Sequence, residues 1–334
     1  MTDPSDPPAN DASGSEVQPP VTVFKFGGTS VGTPERFRTV IDIVRQTVAK
    51  GRVVAVVSAL SQVTRQLSAG LEAFATHPND REVVLRDLLD ELRERHLGQA
   101  EEVLSERRAE EYAGLLHQRL RSLQGVFAQV ERNGFSPEAR DAILATGEQL
   151  SVPMVTLALR DAELQAPHCD ATALVVTDDT FGEANVQLDA TTQRVRQWYA
   201  SLRPDAVPVV AGFIGATAGQ QPTTLGFEGS DYSAALVAQI LGAQCLARYT
   251  DVDGLYTEDP NTSDTAERLD EISMETAFAM TESGRLGMHP KTLRPLAQAG
   301  IPMQIRSIDQ PDAPGTRITP QGAAETEMVP HRTA

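Results

Sequence analysis

Apolar residues in this chain fall into short dense blocks, separated by long stretches in which leucine recurs among charges. "VTVFKF" at 21–26 is a β-type run broken by one lysine; Pro34 and an amphipathic stretch to Lys50 follow, and then "RVVAVVS" at 52–58. The pattern predicts strand, helix and strand, a βαβ unit, and such a unit implies a parallel sheet. From about 62 to 131 the period becomes helical: Leu85, Leu88, Leu89, Leu92 and His96 share one face with Arg and Glu opposite, which predicts an inserted helical layer. Further strands are expected at "VPVVAGFIG" (207–215), "CLARYTDV" (245–252) and "IPMQIRS" (301–307), with a helix over "DYSAALVAQILGA" (231–243). No repeat and no linker interrupts 21–318.

Composition narrows the classes. The 334 residues, 40% hydrophobic, suffice for one large α/β domain or two fused smaller ones. The first 20 residues, rich in Pro, Ser and Asp, predict a disordered acidic tail, and 319–334 a flexible one. That opening lacks the basic start and apolar centre of a signal peptide, and no apolar run approaches the roughly 20 residues of a membrane span. Cys169 and Cys245 are too few for a disulfide framework and lack metal-ligand spacing, so they read as core residues of a cytoplasmic protein. A net charge of −17 argues against nucleic acid as partner, so a small anionic ligand must meet a local basic site.

Such a site is suggested by "KFGGTS" at 25–30. Lys25 ends a strand, and Gly27 and Gly28 let bare amides approach a ligand; a phosphate cradle and a plain strand-to-helix turn both fit. A second glycine-bearing loop, "TTLGFEGSDYSAAL" at 223–236, runs into a helix with Asp231 at its mouth, and two such loops suggest a nucleotide and an acceptor. Neither GxxxxGK[ST] nor GxGxxG occurs. "DVDG" at 251–254 lacks the EF-hand spacing, and no metal site is expected. His96, on an apolar helix face, and His289, before Pro290, read as structural, and "RDLLDELRERH" as a solvated helix face.

"KFGGTSV" (25–31), "GEQLS" (147–151), "TTLGFEGSDYSAAL", "TDVDGLYTEDP" (250–260), "HPKT" (289–292) and "PGTRI" (314–318), in this order, resemble the aspartate kinases of the amino-acid kinase superfamily. The resemblance implies a three-layer α/β/α sandwich around a mainly parallel sheet, binding the acceptor in about 21–205 and ATP in about 206–318. It implies transfer from MgATP to the side-chain carboxylate of L-aspartate, the first step toward lysine, threonine and methionine, and is compatible with a homodimer. Lys25 would stabilise the moving phosphoryl group, cradled by Gly27, Gly28, Thr29, Ser30, Gly229 and Ser230, with Asp231 orienting the cations. Ser58, Thr64 and Glu148 would line the aspartate site, Glu148 pairing its ammonium, and Thr250, Asp251, Tyr256 and Arg285 would serve the nucleotide.

The departures are specific. Phe227 and Glu228 stand where the family carries Arg-Gly, its clamp for the substrate α-carboxylate; Arg65, beside Thr64, reads either as a candidate replacement or as a solvent-facing arginine at the start of a helix. Asn261 and Leu286 replace an arginine and a lysine of the nucleotide half, and Gln62 replaces a glycine. Phe227 and Glu228 leave room for another small acceptor, and Asn261 and Leu286 for a non-catalytic nucleotide-binding subunit. With only the residues after Ile318 remaining, the regulatory ACT domains of many relatives, and their feedback site, are expected to be absent.

Overall fold

The computed structural model describes residues 19–258, 263, 265–284 and 286–321. Most of both expected tails, Asn261 and Arg285 lie outside the described residues. Strand β1 (Val21–Phe26), helix α1 (Pro34–Val48) and strand β2 (Arg52–Val57) form the expected unit. Thr33 caps α1, its side chain accepting from the Arg36 amide, and Pro34 supplies the fixed φ of the first turn. Four helices follow, α2 (Val63–Thr76), α3 (Arg81–Val103), α4 (Glu106–Asn133) and α5 (Pro137–Asp161). Leu88, Leu92 and His96 of α3 are buried, with Leu85 and Leu89 partly so, which is the inserted layer.

The chain continues through β3 (His168–Cys169), β4 (Val176–Thr177), α6 (Leu188–Ser201), β5 (Val209–Ala211), β6 (Ile214–Thr217), β7 (Pro222–Thr224) and α7 (Gly229–Leu241). It closes with β8 (Cys245–Thr250), β9 (Leu255–Tyr256), β10 (Arg268–Leu269), β11 (Glu271–Ser273), α8 (Met274–Glu282), α9 (Pro290–Ala299), β12 (Met303–Ser307) and β13 (Thr316–Thr319). Eight strands in the order β11-β13-β12-β8-β1-β2-β5-β3 form the central sheet. All of its neighbours pair in parallel except β12 and β13. With helices on both faces, this is the three-layer α/β/α sandwich.

Four expectations are corrected. The run 207–215 is not one strand: Phe213 has φ 65, and there the chain leaves β5 in the central sheet for β6 in a three-stranded sheet with β4 and β7. The segment read as a flexible tail starts inside β13, which runs to Thr319, and Pro20 already accepts a bond from the Arg52 amide at 2.9 Å. Cys169 is buried as expected, but Cys245, at the start of β8, is only half-buried. Contrary to the expectation that no run is long enough, helix α5 is long and apolar enough to cross a membrane, yet 83% of its most apolar stretch is buried inside the fold, so it is a core helix of this sandwich.

Alternation along β1 sets the site. Phe24 and Phe26 point to one face and join Tyr249 of β8, with ring centroids 5.8 and 5.5 Å away. Lys25 therefore points to the other face, toward α7. The register places Lys25 directly beside Arg248 of β8. Two cations on neighbouring strands repel unless an anion stands between them.

Candidate active site

That anion is Asp231, in the first turn of α7. Its Oδ2 accepts from Lys25 Nζ at 2.8 Å and its Oδ1 from Arg248 Nε at 2.9 Å. Burial works to raise the Asp231 carboxyl, but the charges and hydrogen bonds of Lys25 and Arg248 outweigh it and hold the group below the usual range. Each of its oxygens faces a cation, so it orients two cations, and a carboxylate held ionised in this way is a weak base. Lys25 is pulled below the ordinary lysine value by burial, against the opposing charge of Asp231.

The glycine loop above β1 is held by its carbonyls. Gly28 O accepts from Ser61 N, and Thr29 O from Arg36 Nη1 at 3.3 Å, while Arg36 is itself fixed by Asp309 at 2.8 and 2.7 Å. The amides of Gly28 and Thr29 make no hydrogen bond to any described residue, nor does that of Ser230 in the first turn of α7. Free donors beside a lysine and a helix N-terminus form an anion site. A Cβ on Gly28 would lie 2.8 Å from the Ala59 carbonyl oxygen, a backbone atom that cannot yield cheaply. Gly28→Ala is expected to cost about 1–3 kcal/mol of stability through overpacking and to displace the cradle. A lower melting temperature together with a lower kcat checks this.

A cavity of about 780 Å³ opens at the carboxyl ends of β1, β2 and β8, the place where parallel sheets bind ligands. Lys25, Gly27, Gly28, Thr29, Gly229 and Ser230 line it together with Ser58, Thr64, Arg65, Glu148, Thr250 and Asp251. Ser58 Oγ donates to Ser230 Oγ at 2.7 Å, joining the two glycine loops. Glu148 Oε1 accepts from the Ala59 amide at 3.2 Å, whereas Oε2 is buried without a partner among the described residues. Burial pushes the Glu148 carboxyl up to about 8, against the smaller pull of that amide and of Lys25. Gln62, Phe213 and Glu228, with φ of 68°, 65° and 55°, are non-glycine residues in the left-handed region and line the same cavity. Strain of this kind gathers at functional sites.

Several expected residues are placed otherwise. Ser30 is fully buried and its Oγ donates to Tyr249 O at 2.9 Å, so its hydroxyl braces the loop instead of facing the cavity. Tyr256 does not line the cavity, and its hydroxyl donates to Asp253 at 2.9 Å. Leu286 is buried in the core, and Phe227 is 79% exposed. Glu228 accepts from the His289 amide, and His289 in turn caps α9. His96 is buried and bonded to Leu92 O, held neutral by burial with a value near 4. Arg248 was not anticipated, although an arginine inside "CLARYT" is the signal that could have found it.

The sequence model of the amino acid kinase family matches residues 20–307. The chain is 30% identical over 306 residues to the maize chloroplastic bifunctional aspartokinase/homoserine dehydrogenase 2, covering 91% of this chain and 33% of that protein. It is 31% identical over 301 residues to lysine-sensitive aspartokinase 3 of Escherichia coli, covering 89% of this chain and 64% of the other. The crystal structure of Escherichia coli aspartokinase III with aspartate and ADP superposes with a TM-score of 0.82 at 30% identity, covering 92% of this chain and 65% of that one. The chain thus spans about a third of the length of the maize relative and about two thirds of the bacterial one.

Proposed function

The chain belongs to the amino acid kinase family, and we propose that its reaction transfers the γ-phosphoryl group of MgATP to the side-chain carboxylate of L-aspartate, giving ADP and 4-phospho-L-aspartate. The carrying observation is one cavity that joins a dense anion site, Lys25 and Arg248 with the free amides of Gly28, Thr29 and Ser230, to a buried carboxylate, Glu148. The names of the relatives, and the aspartate and ADP in the bacterial aspartokinase structure, support the same reading.

The chemistry asks little covalent work of the protein. The acceptor carboxylate is ionised near neutral pH, so no general base is needed, and what remains is positioning and charge stabilisation. Lys25 faces the charge that develops on the transferring group; Asp231 holds Lys25 and Arg248 in place; Gly27, Gly28, Thr29, Gly229 and Ser230 supply the cradle. Ser58, Thr64 and Glu148 hold the acceptor, the Glu148 oxygen without a partner meeting its ammonium. The acceptor lies toward the part formed by about 21–205 and the nucleotide toward about 206–318, where Thr250 and Asp251 line the cavity. Magnesium would enter with the nucleotide as part of the MgATP substrate. It would supply charge neutralisation on the phosphates, beside Lys25 and the cradle amides.

A coupled ADP-release assay across L-aspartate, L-glutamate, N-acetyl-L-glutamate and no acceptor tests the reading. Turnover with aspartate alone is the expected result. Turnover with another acceptor and none with aspartate would overturn it.

A further inference from the structure

An amino-acid acceptor brings an α-carboxylate as well as an ammonium into the cavity, and a buried anion without a partner is costly. Among the described residues, four cationic side chains line that cavity: Lys25, Arg65, Arg140 and Arg248. Lys25 and Arg248 are both engaged by Asp231 at the phosphate end. The guanidinium groups of Arg65 and Arg140 make no hydrogen bond to any described residue, Arg140 having only a long ion pair to Asp141. From this division of charge we infer that Arg140, which sequence reasoning passed over, grips the α-carboxylate of the acceptor and sets specificity for it; the inference rests on the acceptor reading above.

Three observations separate Arg140 from Arg65. The first is support. Arg140 is half-buried in the first turn of α5, where Pro137 starts the helix and Ser136 caps it by accepting from the Ala139 amide at 3.2 Å. Arg65 is exposed on α2, which begins after the strained Gln62 and has no side-chain cap. A guanidinium on a pinned helix start loses less freedom on binding than one on a loose start.

The second is the neighbour, Asp141. This aspartate has no exposure and accepts from Gly182 N at 2.8 Å, Thr224 N at 2.7 Å and Thr224 Oγ1 at 3.0 Å. It ties the start of α5 to β7, just before the 225–228 loop that leads into α7, and three of its four lone-pair positions are taken. Arg140 Nη1 forms an ion pair with Asp141 Oδ1 at 3.8 Å, too long for a hydrogen bond, so the charge is steadied while the donors of its fork remain available. Gly182, whose φ of 89° is in the left-handed region, brings its backbone alongside the guanidinium, the position of a Cβ there lying 3.5 Å from Arg140 Nη1.

The third is periodicity. Arg140, Leu144 and Glu148 recur at intervals of four along α5, and all three line the cavity. Eight residues of α-helix span about 12 Å, which both side chains can bridge toward a zwitterion between them. One rigid helix thereby presents an anion to the ammonium and a cation to the carboxylate of the same α-carbon. An arginine fork matches a carboxylate with two parallel hydrogen bonds.

Steady-state kinetics of the full chain and of Arg140→Ala and Arg140→Lys, varying L-aspartate and MgATP separately, test the inference. Arg140→Ala is expected to raise KM for aspartate about tenfold to thirtyfold, the range of a charged hydrogen-bonded pair, with kcat within about threefold and KM for ATP unchanged. Arg140→Lys should recover part of the loss, because it keeps the charge and drops the fork. A parent enzyme inert with aspartate overturns the acceptor reading, and this inference with it. An active parent whose aspartate KM is unmoved in Arg140→Ala, or moves only together with KM for ATP, overturns the inference alone.

Discussion

Lys25→Ala is expected to lower kcat by at least about a hundredfold, the loss usual for one donor aimed at transition-state charge. Its ammonium is the cation that β1 places between the glycine loop and α7, and its charge matters most when negative charge spreads over the transferring oxygens. The fold should survive. Asp231 keeps its bond to Arg248 at 2.9 Å, so no carboxylate is left buried without a cation. Asp231→Asn is the instructive contrast: it leaves Lys25 and Arg248 facing each other across neighbouring strands with no countercharge, and it should lower stability as well as kcat. Single-turnover rates with thermal melts separate the two cases. A Lys25→Ala enzyme with a near-parent rate would remove Lys25 from the reaction. In the parent, burial lowers the lysine despite Asp231, so the alkaline fall of kcat should begin below 10.5.

What the sequence made legible follows from the kind of information in it. The βαβ start, the helical insert and the two glycine loops were readable because periodicity and punctuation are local. The cradle was identifiable as a pair of loops, and the structure brings them together through Ser58 and Ser230. Direction was not readable. Ser30 belongs to the same motif as Thr29, yet it turns inward to Tyr249 O, because a residue in a tight turn can face either way and only the packed strand behind it decides. The break at Phe213 was hidden for a similar reason: Gly212 must lie against Ser230, where a Cβ would come 2.6 Å from the serine Cβ, and that close approach exists only after α7 has docked. Arg248 became meaningful only with the register that sets it beside Lys25. Arg140 needed the third dimension altogether, since nothing in "SPEARDAI" says that Asp141 is tied to β7 and to the amide of Gly182 while Arg140 lines the cavity.

Glu148 should make aspartate binding strongly pH-dependent. With its carboxyl pushed up to about 8 by burial, the free site is mostly protonated at neutral pH, and pairing with an ammonium requires the ionised form. Binding therefore releases a proton below that value, and the apparent KM for aspartate scales as one plus the ratio of protonated to ionised Glu148. Between pH 9 and pH 6 this factor grows about a hundredfold, so KM should rise by that amount as pH falls, while KM for ATP stays nearly flat. The free protein should show the opposite preference. A carboxyl whose folded value is about 8 against an ordinary 4.5 gives stability that is full below pH 4.5 and lost as pH rises through 8, so the ligand-free enzyme weakens over the range in which it gains affinity. Glu148→Gln separates this carboxyl from every other titrating group: it should bind aspartate weakly at all pH values, lack the slope in KM, and lose the decline in melting temperature between pH 5 and 8. A parent enzyme whose aspartate KM is level from pH 6 to 9 would show that the ammonium is met elsewhere in the cavity, by a group already charged before the substrate arrives.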